Sequence, residues 1–383
     1  MKKLVFLLTF AIVMMGLAVS CGHAEAITTS PINSSATAPE TTKPILETTT
    51  TTVVTTVVAE TAETTPTQTI ATTIPITTKS PEITTQPETT VYLPETTAAP
   101  ITYTAKSWMG ALPDDMLLTN VAMPGTHDSG ATINYKLFGF EVSGTAKCQE
   151  LTIAEQLAIG VRFFDIRLRR VNGELHIYHG DVDQKLNFDE VLSACYAFLA
   201  ENPSETLMMC IKEETDASGT NAAFDTMVAA KINANSSYWH TSPVVPLLGT
   251  VRGKIVLMRR YATSGNFGIN AASGWSDNTT FSLNAGNCIL SVQDYYNDES
   301  ADAKWSAISA MFNKMKYQKS TYYLNYTSGY KSSGSIPNIN TIKDSVNPKL
   351  IDYLKTSPDF VGIVVTDFMT AEIAELIYKV NFR

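Results

Sequence analysis

Residues 160–168 read Gly160-Val161-Arg162-Phe163-Phe164-Asp165-Ile166-Arg167-Leu168. This run of aliphatic and aromatic residues predicts a buried β-strand that also carries charged side chains. Asp165 and Arg167 are two positions apart, so they share one face of the strand and can both point inward. The strand therefore places an acidic and a basic group side by side within the predicted sheet.

The segment 105–383 alternates short apolar runs with helix-like stretches. We predict strands at 118–123, 160–168, 175–178, 206–211, 254–258, 289–293, 321–325 and 361–366, and helices at 153–157, 188–201, 222–234, 301–316 and 347–356. Strand–helix alternation over this length predicts an α/β fold with a parallel barrel, and a doubly wound open sheet is also compatible with the pattern alone. The length suits a single barrel domain.

Charged and polar residues follow the predicted strands in chain order. They are His127 and Asp128 after the first strand, Asp165 and Arg167 in the second, His179 after the third, Lys212 and Glu213 after the fourth, Arg259 and Arg260 after the fifth, Asp294 and Tyr296 after the sixth, and Asp367 after the last. The carboxyl ends of barrel strands converge on one mouth, where active sites lie. We therefore expect these side chains to meet.

Two histidines on different strands suit a general base and a general acid. Arginine adds a permanent charge and a planar fork that fits phosphate oxygens, and aspartates beside histidines would orient the imidazoles. This set predicts metal-free cleavage of a phosphodiester. A single histidine or a buried Asp–Arg pair is more often structural, but their joint placement favours catalysis. His23, His176 and His240 lie outside the set.

Several motifs in fixed order resemble the bacterial phosphatidylinositol-specific phospholipase C family. They lie at 112–114, 123–129 (Met-Pro-Gly-Thr-His-Asp-Ser), 160–167, 176–180 (His-Ile-Tyr-His-Gly), 198–206, 252–261, 292–296 and 364–368. The resemblance spans about residues 108–383. It implies a distorted (βα)8 TIM-type barrel and a calcium-independent lyase that cleaves phosphatidylinositol to diacylglycerol and inositol 1,2-cyclic phosphate.

The resemblance also implies roles for individual residues. His127 matches the general base, His179 the general acid and Arg167 the phosphate-binding arginine. Asp367 matches the carboxylate that orients His127, Asp128 the one paired with His179, and Asp165 completes the site beside Arg167. Lys212, Arg260, Asp294 and Tyr296 match the residues that bind inositol, with Arg260 preferred to Arg259 because it directly precedes a tyrosine.

The same resemblance implies no cofactor and no metal, since Arg167 can take the place of the calcium ion of related enzymes. The expected partner is a membrane lipid, either phosphatidylinositol or a glycosylphosphatidylinositol anchor. The segment 132–145, with Tyr135, Leu137, Phe138 and Phe140 but no tryptophan, either inserts into the membrane interface or merely caps the barrel.

The first 104 residues predict export and a tether. Residues 1–20 form a signal peptide with an apolar run too short to span a bilayer, and the following Cys21 resembles a lipidated cysteine. Residues 21–104 are rich in Thr and Pro and predict a disordered stalk. We expect the protein on the extracellular side of a bacterial cell, anchored through Cys21 or secreted.

Composition excludes some partners and leaves other questions open. The net charge of −9 argues against nucleic acid, and nothing requires more than a monomer. Cys148, Cys195, Cys210 and Cys288 are either free thiols or bridged.

The alternative functions are a metal-dependent glycerophosphodiesterase, a non-catalytic surface module that binds inositol lipids or glycans, and a stalked adhesin.

Overall fold

The computed structural model describes residues 102–219, 222–297 and 300–383. The predicted signal peptide, Cys21 and residues 21–101 of the stalk lie outside them. Tyr103, which we assigned to the end of the stalk, stacks on Phe382 with 4.1 Å between the ring centroids. Within the described residues, no helix is both long and apolar enough to cross a bilayer.

Fourteen strands and seven α-helices make up the described part of the chain. The strands are β1 (Met123–Thr126), β2 (Lys136–Leu137), β3 (Phe140–Glu141), β4 (Phe163–Val171), β5 (Glu174–His179), β6 (Val182–Asn187), β7 (Leu207–Glu213), β8 (Trp239–His240), β9 (Ile255–Arg260), β10 (Ile269–Asn270), β11 (Thr280–Asn284), β12 (Ile289–Gln293), β13 (Thr321–Tyr326) and β14 (Ile363–Thr366). The helices are α1 (Ile153–Ala158), α2 (Phe188–Glu201), α3 (Phe224–Ala234), α4 (Leu248–Val251), α5 (Ala301–Lys314), α6 (Ile339–Lys355) and α7 (Ala371–Tyr378).

The main sheet is parallel over most of its width. Its strand order is β10-β9-β7-β4-β1-β14-β13-β12-β11, and every neighbouring pair on this path is parallel except β11 with β12. The described residues show no hydrogen-bonded pairing between the two ends of this path. The sheet curls around its core as a barrel, but its hydrogen-bonded ladder stays open. The family resemblance implied a distorted barrel of this kind.

Alternate residues of each strand pack into two separate apolar clusters. Phe163, Met208, Val256 and Ile363 join a cluster drawn from all seven central strands, which is the barrel interior. The intervening residues, such as Phe164, pack with the helices outside the sheet. Because side chains alternate between faces along a strand, this parity fixes which side chains point toward the barrel mouth.

The third predicted strand is not a barrel strand. Segment 175–178 lies in β5, which runs antiparallel to the far end of β4 and continues into β6 as a hairpin. Leu168 pairs with Glu213 of β7 on one edge and with Ile177 of β5 on the other. β5 thus occupies the edge of β4 beyond the end of β1 and returns the chain toward the mouth.

Two other boundaries differ from the sequence prediction. The segment 118–123 begins with a 3₁₀ turn at Leu118–Asn120, and β1 starts only at Met123. α6 begins at Ile339 and contains Pro348, whereas the sequence predicted a start at residue 347. Buried apolar side chains at helical spacing, including Ile342 and Val346, carry α6 through the proline.

The amino-terminal end of the barrel is closed by a buried ion pair. Arg162 and Glu205 are fully buried, with Nη2 2.8 Å and Nε 2.9 Å from Oε2 of Glu205. The backbone N–H of Gly110 donates to Glu205 at 3.1 Å and so ties the plug containing Trp108 to the barrel floor. The pair is fully satisfied and lies opposite the mouth, where residues serve stability.

We predict that Glu205→Gln lowers the free energy of unfolding by about 3–5 kcal/mol, since it leaves the buried Arg162 charge unpaired. The matched control is Asp114→Asn. Asp114 pairs with Arg252 at 2.6 Å but its side chain is 76% exposed, so its loss should cost less than about 1 kcal/mol. Urea unfolding of both variants checks this, and equal losses would contradict it.

Candidate active site

Strand parity brings the predicted residues to one mouth. The inward positions near or just past the strand ends hold His127, Asp165, Arg167, Lys212, Arg260, Asp294, Tyr326 and Asp367. Arg259, one position earlier than Arg260, instead donates to the backbone carbonyls of Phe267 and Tyr261. Because side chains alternate between the two faces of β9, Arg260 points toward the mouth and Arg259 points away from it.

The hydrogen bonds of His127 fix its tautomer. Arg167 Nη2 lies 2.8 Å from Nε2 of His127, and arginine can only donate, so Nε2 is the unprotonated acceptor. Nδ1 therefore carries the hydrogen and donates to Asp367 Oδ1 at 2.8 Å. The Nε2 lone pair, which is the basic site of the ring, is directed at the Arg167 guanidinium.

Arg167 lies among three carboxylates. Its Nε is 3.1 Å from Asp165, and its Nη1 is 3.5 Å from Glu214 and 3.8 Å from Asp128. Burial alone would lower the pKa of Arg167, but these carboxylates outweigh burial and raise it well above its usual value. The guanidinium remains charged in a site of limited exposure.

Asp128 occupies a strained and buried position directly after β1. Its backbone φ is +42°, and its backbone N–H donates to Asp165 Oδ2 at 3.2 Å. Its side chain is fully buried, and neither carboxylate oxygen accepts a hydrogen bond from a described residue. Burial raises the pKa of Asp128 to about 8, so the group holds a proton at neutral pH.

His179 reaches the site from the β5–β6 hairpin. Its Nδ1 lies 2.8 Å from the carbonyl of Ala146 and 3.5 Å from Asp128 Oδ2. Because a carbonyl only accepts, Nδ1 carries the hydrogen and Nε2 is open toward the mouth. Burial lowers the pKa of His179. The His127 and His179 rings stand 6.4 Å apart and nearly perpendicular.

The sequence reasoning missed Glu214. It named Glu213, but this residue faces outward and binds Arg170 at 2.6 Å. Glu214 Oε2 accepts from Lys212 Nζ at 2.8 Å, and Oε1 accepts from the backbone N–H of Gly180 at 3.1 Å. Its place two residues after the inward Lys212 was the signal in the sequence that could have found it.

The predicted inositol-binding residues lie on the β7, β9 and β12 side of the mouth. The Arg260 guanidinium stacks 3.7 Å above the Trp275 ring, and Trp275 Nε1 donates to Asp294 Oδ2 at 3.2 Å. The Tyr296 hydroxyl donates to Asp277 at 2.7 Å. Trp275 comes from the loop before β11, and no strand pattern pointed to it.

Comparison with known proteins identifies the family. Residues 122–261 match the family model for the X domain of phosphatidylinositol-specific phospholipase C. A 1-phosphatidylinositol phosphodiesterase of Listeria monocytogenes is 31% identical over 231 residues, covering 59% of this chain and 68% of that protein. The chain belongs to the phosphatidylinositol-specific phospholipase C X-domain family.

Other members of this phospholipase C family show the extent of the match. A 1-phosphatidylinositol phosphodiesterase of Staphylococcus aureus is 29% identical over 271 residues, covering 67% of this chain and 86% of that protein. A solved Staphylococcus aureus phospholipase C mutant superimposes with a TM-score of 0.63 at 27% identity, covering 71% of this chain and 98% of the other. The Listeria monocytogenes structure gives 0.60 at 26% identity, with 73% and 99% covered. These similarities confirm the α/β barrel.

The barrel mouth also contains a thiol. All four cysteines of the described domain are free and buried, so no bridge forms among them. Cys148 Sγ lies 3.5 Å from His179 Nδ1, and the following Gln149 donates to the carbonyls of His127 and Thr366 at 2.9 and 2.8 Å. Burial raises the pKa of the Cys148 thiol. The sequence offered no spacing that would place Cys148 here.

The raised pKa of Asp128 predicts a pH-dependent stability. The folded chain holds this proton up to about pH 8, whereas the unfolded chain releases it at about pH 3.9. Between these values the folded state binds more protons, so the Asp128 contribution to stability falls as pH rises and is lost above pH 8. Asp128→Asn cannot ionise and should be increasingly more stable than wild type from about pH 5 to about pH 9. Urea unfolding at both pH values measures this, and a constant difference would contradict it.

Proposed function

We propose that this chain is a phosphatidylinositol-specific phospholipase C that needs no metal ion and releases diacylglycerol and inositol 1,2-cyclic phosphate. The observation that carries the proposal is the pair of histidines with opposite partners. One imidazole has its lone pair aimed at Arg167, and the other stands 6.4 Å away beside a protonated carboxyl group. The family membership and the names of the relatives support the substrate class.

His127 is the proposed general base. Its Nε2 would take the proton from the inositol 2-hydroxyl, and that oxygen would attack the neighbouring phosphorus. Asp367, 2.8 Å from Nδ1 and almost fully buried, keeps the ring oriented and stabilises the imidazolium that forms. A base held in one tautomer keeps Nε2 as its unprotonated nitrogen.

His179 is the proposed general acid, with Asp128 beside its Nδ1. In the free protein burial favours the neutral form of His179 and the protonated form of Asp128. A bound phosphate brings negative charge that favours the imidazolium form, with the second proton taken up from solvent at Nε2. His179 Nε2 would then donate this proton to the departing diacylglycerol oxygen.

Arg167 is the proposed phosphate clamp. Its donors now contact His127, Asp165 and Glu214, and a phosphodiester would take over those directed at the mouth. A charged fork fixed before the reaction stabilises the developing negative charge at little cost in reorganisation. Asp165 holds the fork, while Lys212, Arg260, Asp294 and Tyr296 are the proposed contacts of the inositol ring.

The alternative functions fit this arrangement of residues less well. A metal-dependent glycerophosphodiesterase needs carboxylates free to coordinate an ion, whereas the Arg167 guanidinium stands between Asp165, Glu214 and Asp128. A module that only binds inositol lipids or glycans needs no base and acid on two sides of a phosphate. We propose no cofactor for the reaction.

We propose that the β2–β3 hairpin contacts the membrane. Phe138 and Phe140 at its tip are 79% and 78% exposed. Phe138 adopts φ +51° and Gly139 φ +86° in the turn between the strands, so the fold holds a bulky aromatic in a conformation that costs free energy. Two exposed rings, one in the two-residue turn and one directly after it, suit insertion between lipid headgroups.

We also propose that the domain acts outside the cell as a monomer. The predicted signal peptide 1–20, the lipidation site Cys21 and the Thr/Pro-rich stalk support an extracellular domain that is either tethered or secreted. The net charge of −9 favours contact with the lipid through apolar groups over attraction to anionic headgroups.

The reaction is tested by phosphorus NMR of phosphatidylinositol vesicles incubated with the protein in excess chelator. We expect inositol 1,2-cyclic phosphate, and at least about 100-fold slower formation with His127→Ala because general acid–base catalysis is lost. The control is His176→Ala, a histidine of β5 whose partner is Glu174 at the surface. An absolute need for calcium, or equal losses in both variants, would refute the mechanism.

The membrane contact is tested by sedimentation with phosphatidylcholine vesicles. Phe138→Ala with Phe140→Ala should weaken vesicle binding at least about 10-fold, since burying each ring is worth about 1.5–3 kcal/mol. Ile289→Thr is the control, because Ile289 is 44% exposed at the amino end of β12, opposite the mouth. Unchanged binding of the double variant would show that the hairpin only caps the barrel.

A further inference from the structure

The Cys148 thiol has no role in the proposed reaction, yet it lies between both histidine–aspartate pairs. Ligand atoms of Asp128, Cys148 and His179 all fall within 4.8 Å of one another, and so do those of His127, Cys148 and Asp367. A thiol, an imidazole and a carboxylate at such distances form a set that binds zinc-like ions.

The first of these two groups has the better geometry. His179 Nδ1 is 3.5 Å from Cys148 Sγ and 3.5 Å from Asp128 Oδ2. With zinc bonds of about 2.0–2.3 Å, tetrahedral ligand atoms lie roughly 3.3–3.8 Å apart. In the second group, His127 Nδ1 and Asp367 Oδ1 are already 2.8 Å apart in a hydrogen bond, which is too close for both atoms to ligate one tetrahedral ion.

Asp128 supplies an independent sign of a ligand. Its side chain is fully buried, and neither oxygen accepts a hydrogen bond from a described residue. A buried carboxyl group without such partners is costly, and a cation would satisfy its ionised form. The His179 side chain is 22% exposed, so an ion can enter from the mouth.

We propose that Asp128, Cys148 and His179 form an inhibitory site for a thiophilic divalent cation, with Zn²⁺ as the representative ion. On binding, the protons of the Cys148 thiol and the Asp128 carboxyl pass to solvent, and the Nδ1 hydrogen of His179 moves to Nε2 while the Ala146 carbonyl loses its donor. Water would fill the fourth position. Ca²⁺ and Mg²⁺ prefer all-oxygen ligands and do not fit.

The bound ion stops the proton transfer proposed for His179. An imidazole whose Nδ1 holds zinc cannot take up the second proton that makes it an imidazolium acid. The Arg167 charge 3.8 Å from Asp128 opposes the ion, while Glu214 and Asp165 offset that repulsion. The inhibition rests on the proposed function, but the binding does not.

Binding is tested by titrating the purified protein with Co²⁺ and recording its absorption spectrum. We expect a thiolate-to-cobalt charge-transfer band with the visible bands of four-coordinate cobalt. Cys148→Ser should abolish the charge-transfer band, and Cys195→Ser should retain it, since Cys195 is a fully buried thiol of α2. Absence of the charge-transfer band in wild type, or its persistence in Cys148→Ser, overturns the proposed metal site.

A second variant keeps the test valid if Cys148→Ser folds poorly. Asp128→Asn leaves the thiol intact, and loss of one ligand should weaken cobalt binding at least about 10-fold, as loss of even an outer-shell partner does. Unchanged affinity overturns the assignment of Asp128.

Inhibition is measured separately on phosphatidylinositol vesicles, with each variant compared with its own rate in chelator. We expect Zn²⁺ to slow wild type and Cys195→Ser at least about 10-fold, reversibly on adding EDTA, and to spare Cys148→Ser. Cobalt binding without zinc inhibition would overturn the inhibitory role. If no variant hydrolyses phosphatidylinositol even in chelator, the substrate proposal fails, while the cobalt spectrum still decides the metal site.

Discussion

The charge of Arg167 is the constraint on which the rest of the site depends. Three buried carboxylates face its guanidinium at 3.1 to 3.8 Å, and a fourth, Asp367, reaches it through His127. Carboxylates this close cannot all ionise without a cation among them. Arginine meets this need permanently, whereas a metal ion would have to be captured. The single positive charge of Arg167 does not neutralise all of these carboxyl groups, and Asp128 keeps its proton.

The barrel positions these groups because its strands alternate strictly between two apolar layers. The interior cluster includes the residues two positions before most of the inward polar side chains, such as Met258 before Arg260 and Val365 before Asp367, so a correct register places these side chains at the mouth. The His179 imidazole depends on different contacts. Asn134 Oδ1 accepts from the backbone N–H groups of Thr145, Ala146 and Lys147, and the Ala146 carbonyl then fixes the imidazole. The base of the exposed hairpin and the proposed general acid therefore share one hydrogen-bond network.

Much of this could be predicted from the sequence, and the failures have physical causes. Asp165 and Arg167 could be placed on one face by period-2 alternation alone, and the motifs named the family. The sequence analysis named Glu213 and missed Glu214 because strand ends cannot be read to one residue, and a shift of one residue reverses the face. The segment around His179 has strand composition, but composition does not distinguish a barrel strand from a hairpin. Cys148 and Trp275 come from loops, where long-range packing decides position.

We propose that the fixed charge and planar fork of Arg167 take the place of a metal ion. The most direct measurement is the turnover of Arg167→Lys on phosphatidylinositol vesicles, in chelator and with added calcium. Lysine keeps the charge but offers one compact ammonium in place of the fork. We predict a turnover at least about 100-fold below wild type, as for loss of a preorganised donor, with wild type indifferent to chelator. Near wild-type turnover of Arg167→Lys, or loss of wild-type activity in chelator, would contradict the claim.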